Sequence, residues 1–168
     1  ISDLIAYRSR NDNLVVETAR ETVTSEFGGS WDMRIFTDQT HGVEHVVMIK
    51  GDITTPEPVL VRTHALHEAS DLLGLGPKPA HELQAAMEKV AAEGRGAVCL
   101  FRQPRHSLYA HDEDGPRTIK HTGLGAQILS KLGVEKLILL TDSPQTRYLG
   151  LDAFGLSIVG TRPIAKES

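Results

Sequence analysis

The sequence has 168 residues but a single cysteine, and it contains no long apolar run. One cysteine, Cys99, excludes an intramolecular disulfide and any site built on several thiolates. Because Cys99 lies in the apolar stretch GAVCLF, we expect a buried thiol. No stretch approaches the roughly 20 apolar residues that span a bilayer, and no basic-then-apolar leader marks a secretory signal. We therefore expect a cytoplasmic protein with no membrane partner.

Positive charge is also in short supply. Lys and Arg number 18 against 22 Asp and Glu, which gives a formal net charge of -4. Domains that bind nucleic acid usually carry a basic surplus, so we expect no nucleic-acid partner. With 40% hydrophobic and 24% charged residues, the chain can form one globular domain with its own core. It begins without Met, which favours a segment of a longer polypeptide.

Alternation and helical spacing of apolar residues predict the order of elements. The first part reads as a short helix followed by four strands, at residues 3–10, 14–28, 31–38, 43–53 and 58–64. The second part reads as alternating helices and strands, at residues 80–96, 97–102, 123–133, 134–142, 143–155 and 156–164. Residues 103–121 have no period and are predicted to be a surface loop. The sequence thus predicts an α/β (α+β) fold, a three-layer domain with a mixed β-sheet. In it, residues 1–55 form a linker helix and N-terminal strands, and residues 56–168 form the core.

Three predicted loops follow strands and carry most of the residues that could bind a ligand. Ligands of parallel sheets collect beyond the carboxyl ends of the strands, so we expect these loops to converge. The candidates are Arg62, His64, His67, Arg102, Arg105, His106, Lys120, His121 and Thr141. Cationic side chains beside a predicted helix start at Gly123 suit a phosphate. The alternative is that they are solvated loop charges.

Two motifs in these loops are weak. The stretch GLGAQ lacks the third glycine of a dinucleotide fingerprint and follows a polar loop, so close packing at a helix entry explains it better. His64, His67 and His81 could ligate a metal, but a closed zinc site needs four ligands and a catalytic one three. With no cysteine available, Glu68 or Asp71 would have to join them. Their spacing matches no zinc motif, and ordinary loop histidines are the alternative.

Several stretches, taken in order, resemble GTP cyclohydrolase II, the enzyme that opens the guanine ring of GTP in the first step of riboflavin synthesis. They are VLVRTH, ELQAAMEKVAAEGRG, FRQ, GLGAQILSKLGVEKLILLTDSP and FGLSIVGTRPI. Upstream, ISDLIAYR and EHVVMIKGDI resemble the segment that joins dihydroxybutanone phosphate synthase to this enzyme in fused proteins. The resemblance covers nearly the whole chain. It implies a GTP cyclohydrolase II-like fold, an N-terminal synthase domain in the parent chain, and a homodimer.

The family's zinc motif is not retained. The family reads Arg-Val-His-Ser-Glu-Cys and then Arg-Cys-Asp-Cys, and these three cysteines hold a zinc whose water attacks the purine. Here Arg62 and His64 match, but His67 stands at the first cysteine position, and the other two positions fall in GPKPA. The resemblance therefore implies that the zinc is lost and that no cofactor remains.

The family's phosphate and acid–base residues are mostly replaced as well. Arg102 and Gln103 keep the start of a stretch that receives the phosphates, and Thr141 matches a nucleotide contact. The family's proposed proton acceptor, an Asp, is Thr118 here, and its proposed arginine nucleophile is Lys120. The resemblance implies substrate-binding remnants but no intact catalytic set. The remnants are Arg62, His64, Arg102, Gln103, Lys120 and Thr141.

We therefore expect a GTP cyclohydrolase II-like domain that does not open the GTP ring and has a structural or regulatory role beside a synthase domain. A weak nucleotide or phosphate ligand would bind near Gly123. One alternative is an active cyclohydrolase or related nucleotide hydrolase with a rebuilt site, using metal on His64, His67 and His81. Another is a small-molecule binder unrelated to nucleotides.

Overall fold

The computed structural model describes residues 15–76, 80–102, 114–142 and 154–164, with the backbone alone at 114–122. The predicted helix at 3–10 and nearly all of that at 143–155 lie outside these ranges. The described elements are β1 (Val15–Ser25), β2 (Gly29–Asp38), β3 (Val43–Lys50), β4 (Val59–Ala65), α1 (Glu68–Asp71), α2 (Glu82–Glu93), β5 (Gly96–Phe101), α3 (Asp114–Lys131), β6 (Lys136–Leu140) and β7 (Ser157–Arg162). None of these helices is long and apolar enough to cross a bilayer.

The described strands form one seven-stranded sheet in the order β1-β2-β3-β5-β4-β6-β7. β1, β2, β3 and β5 pair antiparallel, whereas β5, β4, β6 and β7 run parallel. The predicted mixed sheet is therefore confirmed. Strands from both predicted segments, 1–55 and 56–168, share this sheet, because β3 pairs with β5. The parallel part brings the carboxyl ends of β4, β5, β6 and β7 to one edge.

A helix covers each face of the sheet. Because side chains alternate along a strand, Leu60 and Val61 of β4 belong to different apolar clusters. Helix α2 contributes Ala86, Met87 and Val90 to the cluster that holds Leu60 and Trp31. Helix α3 contributes Leu124, Ile128 and Leu129, among others, to the cluster that holds Val61 and Cys99. The three-layer prediction is confirmed, and Cys99 is buried as expected.

Glycines set the contact and the end of helix α2. A Cβ atom on Gly96 would lie 2.5 Å from the carbonyl oxygen of Leu60 and 2.9 Å from Cγ1 of Val90, so only glycine fits this point of the sheet. Gly94, at φ 78°, ends the helix and donates its N–H to the carbonyl oxygens of Val90 and Ala91. That helix end is the one the sequence predicted.

The predicted start of helix α3 is wrong. The helix begins at Asp114, not at Gly123, so residues 114–121 are helical and not part of a surface loop. Pro116 falls in the first helical turn, where a missing N–H is tolerated. Gly125 was read as part of a helix entry, but a Cβ atom there would lie 3.2 Å from Cζ of Phe101. It marks a close approach of helix to sheet in the helix interior.

Candidate functional site

The edge of the sheet where the parallel strands end carries several of the predicted site residues. The backbone N–H of Leu66, just after β4, donates to the carbonyl oxygen of Phe101 at the end of β5 (2.8 Å). The N–H of Thr141, after β6, donates to the carbonyl oxygen of Arg162 in β7 (2.9 Å). Three of the predicted positions, Arg62, His64 and Thr141, therefore lie along this edge.

The guanidinium of Arg62 is held by three internal partners. Nη2 donates to Oε1 of Glu82 in helix α2 (2.9 Å) and contacts Nδ1 of His64 (3.3 Å). Nη1 donates to the carbonyl oxygen of Leu140 in β6 (3.3 Å). The side chains of Arg62 and Glu82 are only 14% and 15% exposed. Among the described residues, no acceptor contacts the buried Nε of Arg62.

The hydrogen-bond partners of His64 indicate which of its two ring nitrogens carries the proton. A guanidinium can only donate, so Nδ1 of His64 must accept from Arg62. The ring proton therefore sits on Nε2, which donates to Oδ2 of Asp71 at 2.9 Å. The same carboxylate oxygen accepts the backbone N–H of His67 at 2.9 Å. His64 is buried, at 5% exposure, so both of its ring nitrogens are satisfied away from solvent.

These contacts join into one chain, Glu82–Arg62–His64–Asp71, which links helix α2, strand β4 and helix α1. A metal ligand must offer a free ring lone pair, and the Nδ1 lone pair of His64 faces a guanidinium. Within the part of the chain that the structure describes, no three His, Cys, Asp or Glu side chains are grouped so as to hold a metal. His81 is exposed at the start of α2, with φ 67°. The alternative metal site on His64, His67 and His81 is therefore not supported.

The remaining candidates do not join this chain of contacts. Arg102 is exposed, and its backbone N–H donates to Nδ1 of His45 (3.1 Å), whose ring packs edge-on against Phe101. Thr141 is buried. The preceding residue, Leu140, belongs to the apolar cluster on the face that helix α2 covers. Because side chains alternate, Thr141 should point to the other face of the sheet, away from Arg62. Thr118, Lys120 and His121 belong to helix α3, where only the backbone is described. Gln103, Arg105 and His106 lie outside the described residues.

The predicted phosphate site at Gly123 loses its structural basis. It depended on backbone N–H groups left free at a helix start, and only the first four of a helix are free. Because α3 begins at Asp114, Gly123 lies in the helix interior, where the helix's own hydrogen bonds use its N–H group.

Sequence reasoning missed Glu82 and His45, and it considered Asp71 only as a possible metal ligand. The acidic residue Glu82 stands in the first turn of α2, where it was read only as part of a helix. Asp71 closes the short helix α1, which was not predicted. His45 occupies an inward position of a correctly predicted strand, and alternation was the one signal that could have found it.

Comparison with known proteins agrees with this α/β architecture and with the retained Arg-x-His motif. Residues 16–163 match the sequence profile of GTP cyclohydrolase II, and the chain belongs to this family. It is 34% identical over 185 residues to riboflavin biosynthesis protein RibBA of Phocaeicola vulgatus, covering 98% of this chain and 45% of that protein. RibBA of Bacillus cytotoxicus is also 34% identical, over 189 residues, with 98% and 46% covered. The chain thus spans about half the length of these curated relatives.

A solved structure with the same fold is RibBX from A. baumannii, described as a two-domain 3,4-dihydroxy-2-butanone 4-phosphate synthase. The TM-score is 0.67 at 26% sequence identity, and the match covers 96% of this chain and 44% of that one. The family resemblance and the fold class expected from the sequence are both confirmed.

Proposed function

We propose that this domain does not open the GTP ring and that it has a structural or regulatory role beside a dihydroxybutanone phosphate synthase domain in its parent protein. The main support is the way the retained motif residues are used. Arg62 is paired with Glu82, and His64 with Asp71, all largely buried. Side chains that would face a substrate in a working site here stabilise the contact between α2, β4 and α1.

The chain does not fit the family's zinc. The sequence offers no cysteine at the three family positions, and His67 stands at the first of them. Cys99 cannot substitute, because it is 1% exposed within β5. Burial raises the pKa of its thiol to about 12, so the thiolate that binds a metal is not formed at neutral pH. Without the metal, no water is activated for attack on the purine.

The acid–base positions support the same conclusion. The hydroxyl of Thr118 cannot take up a proton as a carboxylate does at neutral pH. Lys120 offers a compact charge where the family has a forked guanidinium, and the two do not bind phosphate alike.

Three findings support a synthase partner. The solved structure described as a two-domain synthase matches this chain over 44% of its own length, and the curated relatives are about twice as long as the chain. In addition, the turn after α1 exposes Leu72, Leu73 and Leu75, at 73%, 62% and 48%. Clustered exposed leucines are typical of an interface, here with the synthase half. The homodimer remains a prediction from the family resemblance, and the cytoplasmic location remains a prediction from the sequence pattern.

Zinc content and GTP turnover test the loss of activity. We expect purified residues 1–168 to hold well under one zinc per chain and to release no formate from GTP above a boiled sample. A zinc-containing member of the family, assayed in parallel, controls for both measurements. One zinc per chain that disappears in His67→Ala but persists in His41→Ala would contradict the proposal, as would any pyrimidine product.

The role beside the synthase needs the parent protein. We expect removal of residues 1–168 to lower the synthase's activity or its melting temperature, because an apolar contact would be lost. A Leu73→Glu variant of the whole protein should show part of the same effect, whereas Glu88→Gln, an exposed change on α2, should show none. Unchanged activity and melting temperature after the deletion would contradict this role.

A further inference from the structure

The pairing of Arg62 leaves part of its guanidinium unused. Glu82 contacts Nη2 through one oxygen, Oε1, at 2.9 Å. A guanidinium binds a carboxylate or phosphate best through two parallel N–H groups, and Nε with its neighbouring Nη forms such a pair. Among the described residues, Nε of Arg62 is buried without an acceptor. The guanidinium therefore has capacity for an oxyanion that Glu82 does not use.

We propose that Glu82 is an internal counter-ion that closes Arg62 to small oxyanions, and that phosphate occupies Arg62 when this carboxylate is removed or withdrawn. The inference rests on the proposed non-catalytic function and names how the remnant site is regulated. It makes the Arg62–Glu82 pair a latch between strand β4 and the first turn of helix α2.

The charges around the latch support this assignment. The side chain of Arg62 is 14% exposed, so its charge is poorly solvated and needs a compensating negative charge. Nδ1 of His64 accepts from Arg62, so this ring offers the guanidinium a lone pair but no negative charge. Asp71 lies on the far side of His64 and is bonded to Nε2 of that ring. Within the described ranges, Glu82 is therefore the carboxylate that contacts the guanidinium directly, and its removal leaves an unpaired charge and the space of its side chain.

Phosphate titration of residues 1–168 at constant ionic strength tests the latch, with amide shifts and thermal stabilisation as readouts. We expect no saturable binding up to millimolar phosphate in the natural sequence or in Glu88→Ala, an exposed control on the same helix. Glu82→Ala should bind phosphate at least tenfold more tightly, and the affinity should fall as salt rises. The double variant Arg62→Gln with Glu82→Ala should lose this binding. Acetate in a parallel titration shows whether the site takes oxyanions in general or phosphate in particular.

Each other result overturns the latch. Equal phosphate affinity in the natural sequence and in Glu82→Ala would show that Glu82 does not block phosphate from Arg62. Binding that survives Arg62→Gln would place the anion elsewhere, and an absence of binding in all variants would remove the site. Should Glu82→Ala fail to unfold cooperatively, Glu82→Gln keeps the shape and removes the charge, and it must show the same Arg62-dependent gain. Zinc or GTP turnover would contradict the proposed function and leave this comparison unaffected.

Discussion

Replacing Gly96 by alanine tests the close contact between helix α2 and the sheet, which places Glu82 against Arg62. The new Cβ atom would lie 2.5 Å from the carbonyl oxygen of Leu60 and 2.9 Å from Cγ1 of Val90. The first of these atoms is backbone and is held in the parallel ladder between β4 and β5. On the other side, Gly96 pairs with Lys50 of β3, so neither neighbouring strand can move alone.

The expected loss of stability follows from this geometry. An added methyl group in a well-packed core typically costs about 1–3 kcal/mol. Because the backbone of a central strand must give way here, we expect the upper part of this range, about 3 kcal/mol. For a domain of this size, that corresponds to a fall in Tm of roughly 6–12 °C.

Urea denaturation followed by tryptophan fluorescence measures the effect. The chain has one tryptophan, Trp31, and it is buried in the same apolar cluster as Val90. Gly160→Ala is the matched control, because a Cβ atom on that strand glycine meets nothing within 4 Å. We expect the control to stay within about 0.5 kcal/mol of the natural sequence or to be slightly stabilised. A Gly96→Ala variant as stable as the control would refute the described packing of α2 on the sheet.

Three further predictions concern single residues. Burial raises the pKa of the Cys99 thiol to about 12 from 9.0. Between these two pH values the folded state keeps a proton that the unfolded state releases. The free energy of unfolding should therefore decline as pH rises from 9 towards 12. Cys99→Ala should lack that part of the decline in urea titrations across this range. Gly123→Ala should stabilise the domain by roughly 0.5–1 kcal/mol, because residue 123 lies inside helix α3 and the added Cβ atom would meet open space. A destabilised variant would instead favour a helix start at this residue. Asp71→Ala removes the acceptor of His64 and of the His67 N–H and should cost about 2–3 kcal/mol, and a cost below 0.5 kcal/mol would contradict these bonds.

Local pattern was enough to predict the strands and the end of helix α2. Alternation in residues 31–38 places Trp31 on an apolar face, and Trp31 is buried. Gly94 ends its helix for a reason that depends only on its own backbone angles. Such features are encoded within a few residues, so a sequence reveals them.

Features that depend on distant partners were not predictable in this way. Gly123 and Gly125 were read as a closely packed helix entry, but the ring that Gly125 approaches, Phe101, lies more than twenty residues away and meets the interior of the helix. Glu82 is twenty residues from Arg62 in sequence, and an acid in a first helical turn is explained by the helix dipole alone. The family resemblance identified Arg62 and His64 as motif residues, but it did not show that internal carboxylates hold them.

The place of β4 in the sheet has a consequence for synthesis on the ribosome. β4 is complete at residue 65, but its two neighbours come later, since β5 begins at residue 96 and β6 ends at residue 140. At a translation rate of roughly 5–20 residues per second, β4 waits about 4–15 s for its second partner. During that time the apolar stretch Val59–Val61, fully buried in the finished domain, has at least one open strand edge. Open apolar edges pair with other chains. Nascent chains halted before residue 136 should therefore aggregate or bind chaperones, whereas chains that extend through β6 should not.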